Sequence, residues 1–181
     1  PLIVLDDADL ESAVEFAING AFFSAGQRCT ASSRLIVTKD IHDSFVDAMS
    51  KRMELLRIGD ARNPNTDIGP VVSERQLKKH LEYLRIGVDD GAKHLIGGHQ
   101  VEQTTPGWYL SPALFINAKS EMQICREEIF GPIAAVISVS DYDEALSVAN
   151  DSEFGLSAGI VSSDRRIIDH FIDNIQAGMV Q

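Results

Sequence analysis

One cysteine and one acidic, aromatic segment have the residue types and spacing to do chemistry in this 181-residue chain. Cys29 comes just after a helical pattern, and Gly26 and other small residues precede the cysteine. Residues 22–34 are here called the cysteine segment. A catalytic cysteine must be reachable and partly ionised, and the neighbouring Arg28 would favour the thiolate if its side chain turned toward the sulfur. Most free cysteines instead pack as small buried hydrophobes, so the residues alone leave both interpretations open.

The acidic segment, residues 127–132, places Glu128 and Phe130 two residues apart, ahead of a Gly-Pro turn. Taken alone, this segment fits a solvated pair of carboxylates followed by a buried ring. The five histidines of the chain have no spacing typical of a metal site, so we expect no bound metal.

Composition restricts the class of protein. The chain has 27 acidic and 16 basic residues, and the resulting net charge of −11 disfavours binding to nucleic acid or anionic membranes. No apolar run approaches the ~20 residues that a membrane span requires. Two cysteines, Cys29 and Cys125, are too few for a disulfide framework, which favours a reducing compartment. We therefore expect a cytoplasmic protein with no nucleic-acid or membrane partner.

Short apolar runs alternate with helical periods along the chain. Most of the runs are continuous, which is typical of strands covered on both faces. The predicted strands are residues 2–5, 35–38, 93–96, 114–116, 133–139 and 158–161. Strand-helix-strand alternation predicts an α/β fold, a three-layer, mostly parallel twisted sheet with helices on both faces.

Helix starts and loops can also be read from the residues. Residues 73–76 and 141–144 have the form of capping boxes, and Asp40 is a candidate cap for the helix that follows it. Residues 64–70 and 97–112 are predicted loops. Residues 150–158 are interpreted as a helix end, a glycine turn and the next strand.

The cysteine and acidic segments resemble the active-site cysteine segment and the nicotinamide-side segment of the aldehyde dehydrogenase superfamily. Gly26 and Gln27, three and two residues ahead of Cys29, are part of that resemblance. Residues 1–9 are similar to the family's strand that leads toward the cysteine. The resemblance covers essentially the whole chain in order, and it implies the fold of an aldehyde dehydrogenase catalytic domain.

The resemblance implies covalent redox catalysis. The Cys29 thiolate would attack an aldehyde to give a thiohemiacetal, hydride would pass to NAD or NADP, and water would hydrolyse the resulting thioester. The backbone N–H of Cys29 would be one oxyanion donor. The implied partner is a small-molecule aldehyde, the cofactor would be held mainly by a domain outside this chain, and the parent enzyme is expected to be a homo-oligomer.

The resemblance also assigns roles to cofactor-side residues. Glu128 would accept hydrogen bonds from ribose hydroxyls, and Phe130 would pack near the nicotinamide. Gln76 resembles a glutamine near the adenosine ribose, although its place in a capping box is an equally good explanation for it.

On the substrate side, Phe23, Arg28 and Thr30 would line the tunnel to the cysteine. Residues 26–34 look similar to enzymes for 2-oxoglutarate semialdehyde, and an arginine directly before the nucleophile suggests a substrate with a distal carboxylate. A solvent-facing Arg28 is the alternative.

Several family parts are expected to lie outside residues 1–181. These are the general-base glutamate of a Glu-Leu-Gly-Gly segment, the dinucleotide-binding domain and the asparagine that completes the oxyanion hole. We therefore expect a cysteine-bearing catalytic domain, truncated at both ends, that folds but is inactive alone. Two other interpretations stay open: a family-like domain used only for binding or structure, and a cysteine hydrolase or redox thiol protein, the hydrolase requiring a histidine partner for Cys29.

Overall fold

A seven-stranded sheet organises the fold, and the computed structural model describes all 181 residues of the chain. The strands are β1 (Leu2–Val4), β2 (Arg34–Thr38), β3 (Lys93–Ile96), β4 (Gln100–Val101), β5 (Tyr109–Leu110), β6 (Ala113–Ala118), β7 (Ile133–Val139), β8 (Ser157–Val161) and β9 (Met179–Val180). Strands β4 and β5 form a separate antiparallel pair, and the other seven follow the order β3-β6-β7-β2-β1-β8-β9. Neighbouring strands of the large sheet are parallel except for β3 and β6.

Helices cover both faces of this sheet. They are α1 (Leu10–Phe22), α2 (Lys39–Glu54), α3 (Glu74–Asp89), α4 (Gln123–Arg126), α5 (Tyr142–Asn150) and α6 (Arg165–Asn174). Helices α1 and α2 contribute to the core on one face, and α4, α5 and α6 contribute to the core on the other. Tyr83 and Leu84 of α3 join the second core.

The central strands have no exposed face, which explains their continuous apolar sequences. In β2, Leu35 and Val37 enter one core, Ile36 enters the other, and all three are fully buried. Burying one such side chain stabilises the fold by roughly 1.5–3 kcal/mol. The predicted fold class, a mostly parallel sheet with helices on both faces, is confirmed.

The cap predictions have mixed outcomes. Ser73 accepts a hydrogen bond from the Gln76 backbone N–H at 3.3 Å, and Asp141 caps α5 in the same manner. The Asp40 prediction is wrong, because α2 begins at Lys39 and Thr38 is its N-cap. The Thr38 hydroxyl does not cap the helix; it is turned toward the end of β1, where it donates to the Asp6 carboxylate and lies 3.4 Å from the Val4 carbonyl oxygen.

The predicted loop 97–112 is only partly a loop, because it contains the β4–β5 hairpin. Two-residue strands are too short to give a periodic signal, yet Tyr109 and Leu110 are almost fully buried. None of the helices has the length and apolar content that a bilayer span demands.

Candidate active site

The cysteine segment leaves α1 through a turn with unusual backbone geometry. Ser24, Ala25 and Gly26 have φ values of 58°, 56° and 63°, so three consecutive residues are left-handed. Gly26 adopts this region without a Cβ penalty, whereas Ser24 and Ala25 carry backbone strain. The turn carries the chain away from the helix axis, and Cys29 follows it with its side chain exposed.

The cysteine and acidic segments touch through their main chains. A Cβ atom on Gly26 would lie 2.2 Å from the carbonyl oxygen of Gly131, which is far inside contact distance. Only glycine permits both the positive φ and this close approach. The two segments that the sequence singled out are therefore neighbours in space.

Both segments line one cleft of about 290 Å³, here called the cysteine cleft. Cys29, Glu128 and Phe130 all line it. Glu128 is exposed, whereas Phe130 is half-buried and has a positive φ of 54°. The structure thus places an accessible thiol, a free carboxylate and an aromatic ring around one space.

The cleft also has two large exposed apolar side chains, which the sequence interpretation did not anticipate. Phe154 and Leu156 line the cysteine cleft and are 56% and 50% exposed. From the sequence, residues 150–158 are interpreted as a helix end, a glycine turn and the next strand, with no part in the site. Two large apolar side chains on either side of Gly155 were the available signal, since clustered exposed apolar residues mark interaction or ligand sites.

Helix α3 anchors the acidic segment with three side chains. Lys79 Nζ donates to the Glu128 carbonyl at 3.2 Å, and the Tyr83 hydroxyl donates to the Glu127 carboxylate at 2.5 Å. His80 Nε2 lies 2.9 Å from the Phe130 carbonyl oxygen. Burial and the hydrogen bond to Glu127 raise the pKa of Tyr83 to about 12, so its hydroxyl stays a donor.

His80 is the residue of this set that sequence reasoning missed. It lies on the apolar face of α3, three residues after Leu77 and four before Leu84, and it is fully buried. That position in the helical period was a signal for burial. A buried histidine needs a hydrogen-bond partner, but the partner lies fifty residues away in the chain.

Arg28 is held by the end of α1. Its Nη2 donates to the carbonyl oxygens of Asn19 and Gly20, the second at 3.2 Å, while its Nε is buried without a partner. The guanidinium also borders both the cysteine cleft and a second cavity of about 370 Å³. Thr30 lines only the second cavity, and Phe23 and Gln76 line neither.

The second cysteine of the cleft differs from Cys29. Cys125 is buried, and burial raises the pKa of its thiol to about 11, so it stays protonated at neutral pH. Beside it, Arg34 donates to the carbonyls of Val148 and Ala149 at 3.1 Å each. No group of three or more histidine, cysteine or carboxylate side chains is placed to hold a metal ion.

The domain has a mostly parallel α/β sheet. An exposed thiol lies between a helix and a strand and shares a cleft with an acidic and aromatic segment. These features define the class of the protein as a thiol-bearing α/β domain. Residues 1–181 match the model of the aldehyde dehydrogenase family, and the chain belongs to that family. The predicted family is thereby confirmed.

Sequence relatives agree with this membership. The chain is 46% identical to the alpha-ketoglutaric semialdehyde dehydrogenase of Bacillus subtilis strain 168 and 42% identical to the alpha-ketoglutarate semialdehyde dehydrogenase of Haloferax volcanii, with all of this chain covered in both cases. It is 42% identical to the betaine aldehyde dehydrogenase of Brucella ovis, with 98% of this chain covered. The chain spans only 38%, 38% and 37% of the length of these relatives.

Solved structures show the same architecture. An NAD-dependent aldehyde dehydrogenase from Sinorhizobium meliloti superposes with a TM-score of 0.96 at 36% identity. A betaine aldehyde dehydrogenase from Staphylococcus aureus in complex with NAD+ gives 0.97 at 34% identity. Both matches cover 99% of this chain and 36% of the other chain.

Proposed function

We propose that this chain supplies the cysteine-bearing catalytic domain of a longer NAD(P)-dependent aldehyde dehydrogenase, which oxidises an aldehyde to a carboxylate. The observation that carries the proposal is the exposed Cys29 in one cleft with Glu128 and Phe130. The relatives supply the longer context, because this chain spans about two-fifths of their length. The dinucleotide-binding domain, outside residues 1–181, would hold most of the cofactor.

Cys29 is the proposed nucleophile. Its thiolate sulfur bonds to the aldehyde carbon while the carbonyl π electrons move to oxygen, which gives a thiohemiacetal. The backbone N–H of Cys29 has no backbone acceptor, so it is free to donate to the developing oxyanion. Re-forming the C=O bond would expel hydride, for which bound NAD(P)+ would supply the acceptor, and would leave a thioester. Water would then attack the acyl carbon and release the acid, the Cys29 thiolate and a proton.

The cofactor-side residues fit the nicotinamide half of NAD(P)+. Glu128 has an exposed carboxylate that would accept hydrogen bonds from ribose hydroxyls, and Phe130 offers a flat apolar surface in the same cleft. When bound, the cofactor supplies the hydride acceptor. Gln76 remains a proposed contact of the adenosine ribose, with its backbone N–H already used in the α3 cap.

For the substrate, we propose an aldehyde with a distal carboxylate. Arg28 borders the cysteine cleft, and all of its hydrogen bonds come from Nη2, so Nη1 retains unused donors. Two relatives are named for alpha-ketoglutarate semialdehyde, which carries one carboxylate in addition to its aldehyde. Phe23 and Thr30 are proposed as further residues of the substrate tunnel.

Activity of the complete enzyme that contains this chain tests the proposed function. Cys29→Ser is expected to abolish aldehyde-dependent formation of reduced nicotinamide, measured by its absorbance, whereas Cys125→Ser retains it. Full activity in the Cys29→Ser enzyme would refute the nucleophile assignment. The isolated 181-residue chain is expected to show no steady turnover, and turnover there would refute its dependence on a further domain.

Substrate preference is tested with Arg28→Ala and matched acidic and neutral aldehydes. The variant is expected to lose most of the preference for the acidic aldehyde, because one charge-assisted pair is worth roughly 1.5–3 kcal/mol. An unchanged ratio of kcat/KM between the two aldehydes would remove the carboxylate role.

A cysteine hydrolase is disfavoured by one observation. None of the five histidines lines the cysteine cleft, so Cys29 lacks the imidazole base that such an enzyme requires.

A further inference from the structure

His80 is a fully buried polar side chain that the proposed chemistry leaves unused. Its Nε2 lies 2.9 Å from the Phe130 carbonyl oxygen, and its Nδ1 is buried without any partner. An apolar residue at this position of α3 would continue the stripe of Leu77 and Leu84 and would bury no unpaired nitrogen. Core packing therefore does not account for a histidine here.

The protonation state of His80 follows from its surroundings. Burial lowers its pKa below the ordinary 6.5 by more than the hydrogen bond to Phe130 raises it, and the charge of Lys79 lowers it further, so the ring is neutral at neutral pH. A carbonyl oxygen only accepts hydrogen bonds, so the single ring proton is on Nε2 and points at Phe130. His80 is thus a fixed donor to the main chain of the acidic segment.

The backbone that receives this bond is strained and tightly packed. Phe130 has a φ of 54°, a region that an aromatic residue rarely adopts without support. A Cβ on Gly131 would lie 2.3–2.6 Å from atoms of the His80 ring, so the ring lies directly against this turn. The Gly131 carbonyl in turn lies against Gly26 of the cysteine segment.

We propose that His80 is a positioning residue. Its Nε2–H bond to the Phe130 carbonyl holds the left-handed turn at Phe130 and Gly131 against Gly26, and this contact sets where the Phe130 ring stands relative to Cys29. The inference rests on the proposed function, in which that ring packs at the nicotinamide. Its effect should therefore fall on cofactor use and leave the intrinsic reactivity of the thiol unchanged.

The test compares His80→Leu with His80→Gln in the complete enzyme. Leucine has no donor, whereas the glutamine amide can donate to the same carbonyl. His80→Leu is expected to raise KM for NAD(P)+ about tenfold, the size of one lost hydrogen bond, while iodoacetamide labels Cys29 at the wild-type rate without cofactor. His80→Gln is expected to restore most of the loss, and exposed His170→Leu serves as the matched control.

Each outcome separates the two proposals. A wild-type enzyme that reduces no NAD(P)+ with any aldehyde refutes the proposed function. If the wild-type enzyme is active and His80→Leu has the same KM for NAD(P)+, the positioning role is refuted. It is also refuted if His80→Leu shows a raised KM, a lowered kcat and slower Cys29 labelling together, because that pattern indicates general unfolding.

A crystal structure of the 181-residue chain with His80→Leu decides the geometric part without turnover. Phe130 is expected to leave the left-handed region in that variant. A turn that keeps its positive φ without the imidazole overturns the inference.

Discussion

Gly26→Ala tests the main-chain contact that joins the two segments of the site. The new methyl group would lie 2.2 Å from the Gly131 carbonyl oxygen, and the backbone would keep a φ of 63°. The left-handed conformation costs roughly 1–2 kcal/mol for a residue with a Cβ, and forcing a carbon into packed backbone costs typically about 1–3 kcal/mol. We therefore expect the free energy of unfolding to fall by about 2–5 kcal/mol.

This loss is measurable by urea unfolding of the 181-residue chain, followed by far-ultraviolet circular dichroism. In thermal unfolding of a domain of this size, the same loss corresponds to a midpoint lowered by roughly 4–20 °C. Ala25→Gly is the matched control: it changes a neighbour of similar φ, 56°, and relieves backbone strain while losing one buried methyl group. Its effect is expected to stay within about 1 kcal/mol. A Gly26→Ala chain as stable as the control would show that the two segments can separate freely.

Three further predictions concern residues around the cleft. Arg34→Met is expected to destabilise the chain by about 2–4 kcal/mol in urea titrations, because two carbonyls at the end of α5 lose a charged donor; the exposed Arg165→Met should leave the midpoint unchanged. Mass spectrometry after iodoacetamide at neutral pH should show one rapid adduct, on Cys29, since Cys125 is buried with a pKa raised to about 11; rapid labelling of both thiols would contradict this. Burial lowers the pKa of His80 below 6.5, so just below pH 6.5 the imidazole is protonated in the unfolded chain but still neutral in the folded chain. The stability present above pH 6.5 is therefore lost as the pH falls below it. His80→Gln should flatten that decline, and an identical pH profile would count against the assignment.

Much of the fold follows from local sequence. Continuous apolar runs predicted the parallel strands because a strand buried on both faces has no polar alternation to show. Ser73 and Asp141 predicted the starts of α3 and α5, because a capping side chain accepts a hydrogen bond from a backbone N–H only three residues away. The Asp40 prediction failed because the Thr38 hydroxyl is directed toward β1, and tertiary contacts of this kind leave no local pattern.

The site was predictable only in part. Cys29, Glu128 and Phe130 were named through the family resemblance, and they line one cleft. The donor role of His80 was out of reach, because its acceptor is a main-chain oxygen fifty residues away. A backbone acceptor carries no residue type, so sequence spacing cannot reveal such a bond.

The close approach of Gly26 and Gly131 limits how this scaffold can diversify. The two backbones already touch at this point, and neither glycine has a side chain whose size could be changed. Substitutions therefore cannot adjust the spacing between the Cys29 thiol and the Phe130 ring in small steps. Under the proposed function, variation in the accepted aldehydes would fall to side chains around the cleft, including the exposed rim at Phe154 and Leu156, which have room to grow or shrink. Randomising those two rim positions should yield folded enzymes with shifted aldehyde ranges, whereas randomising the two glycines should return mostly insoluble protein.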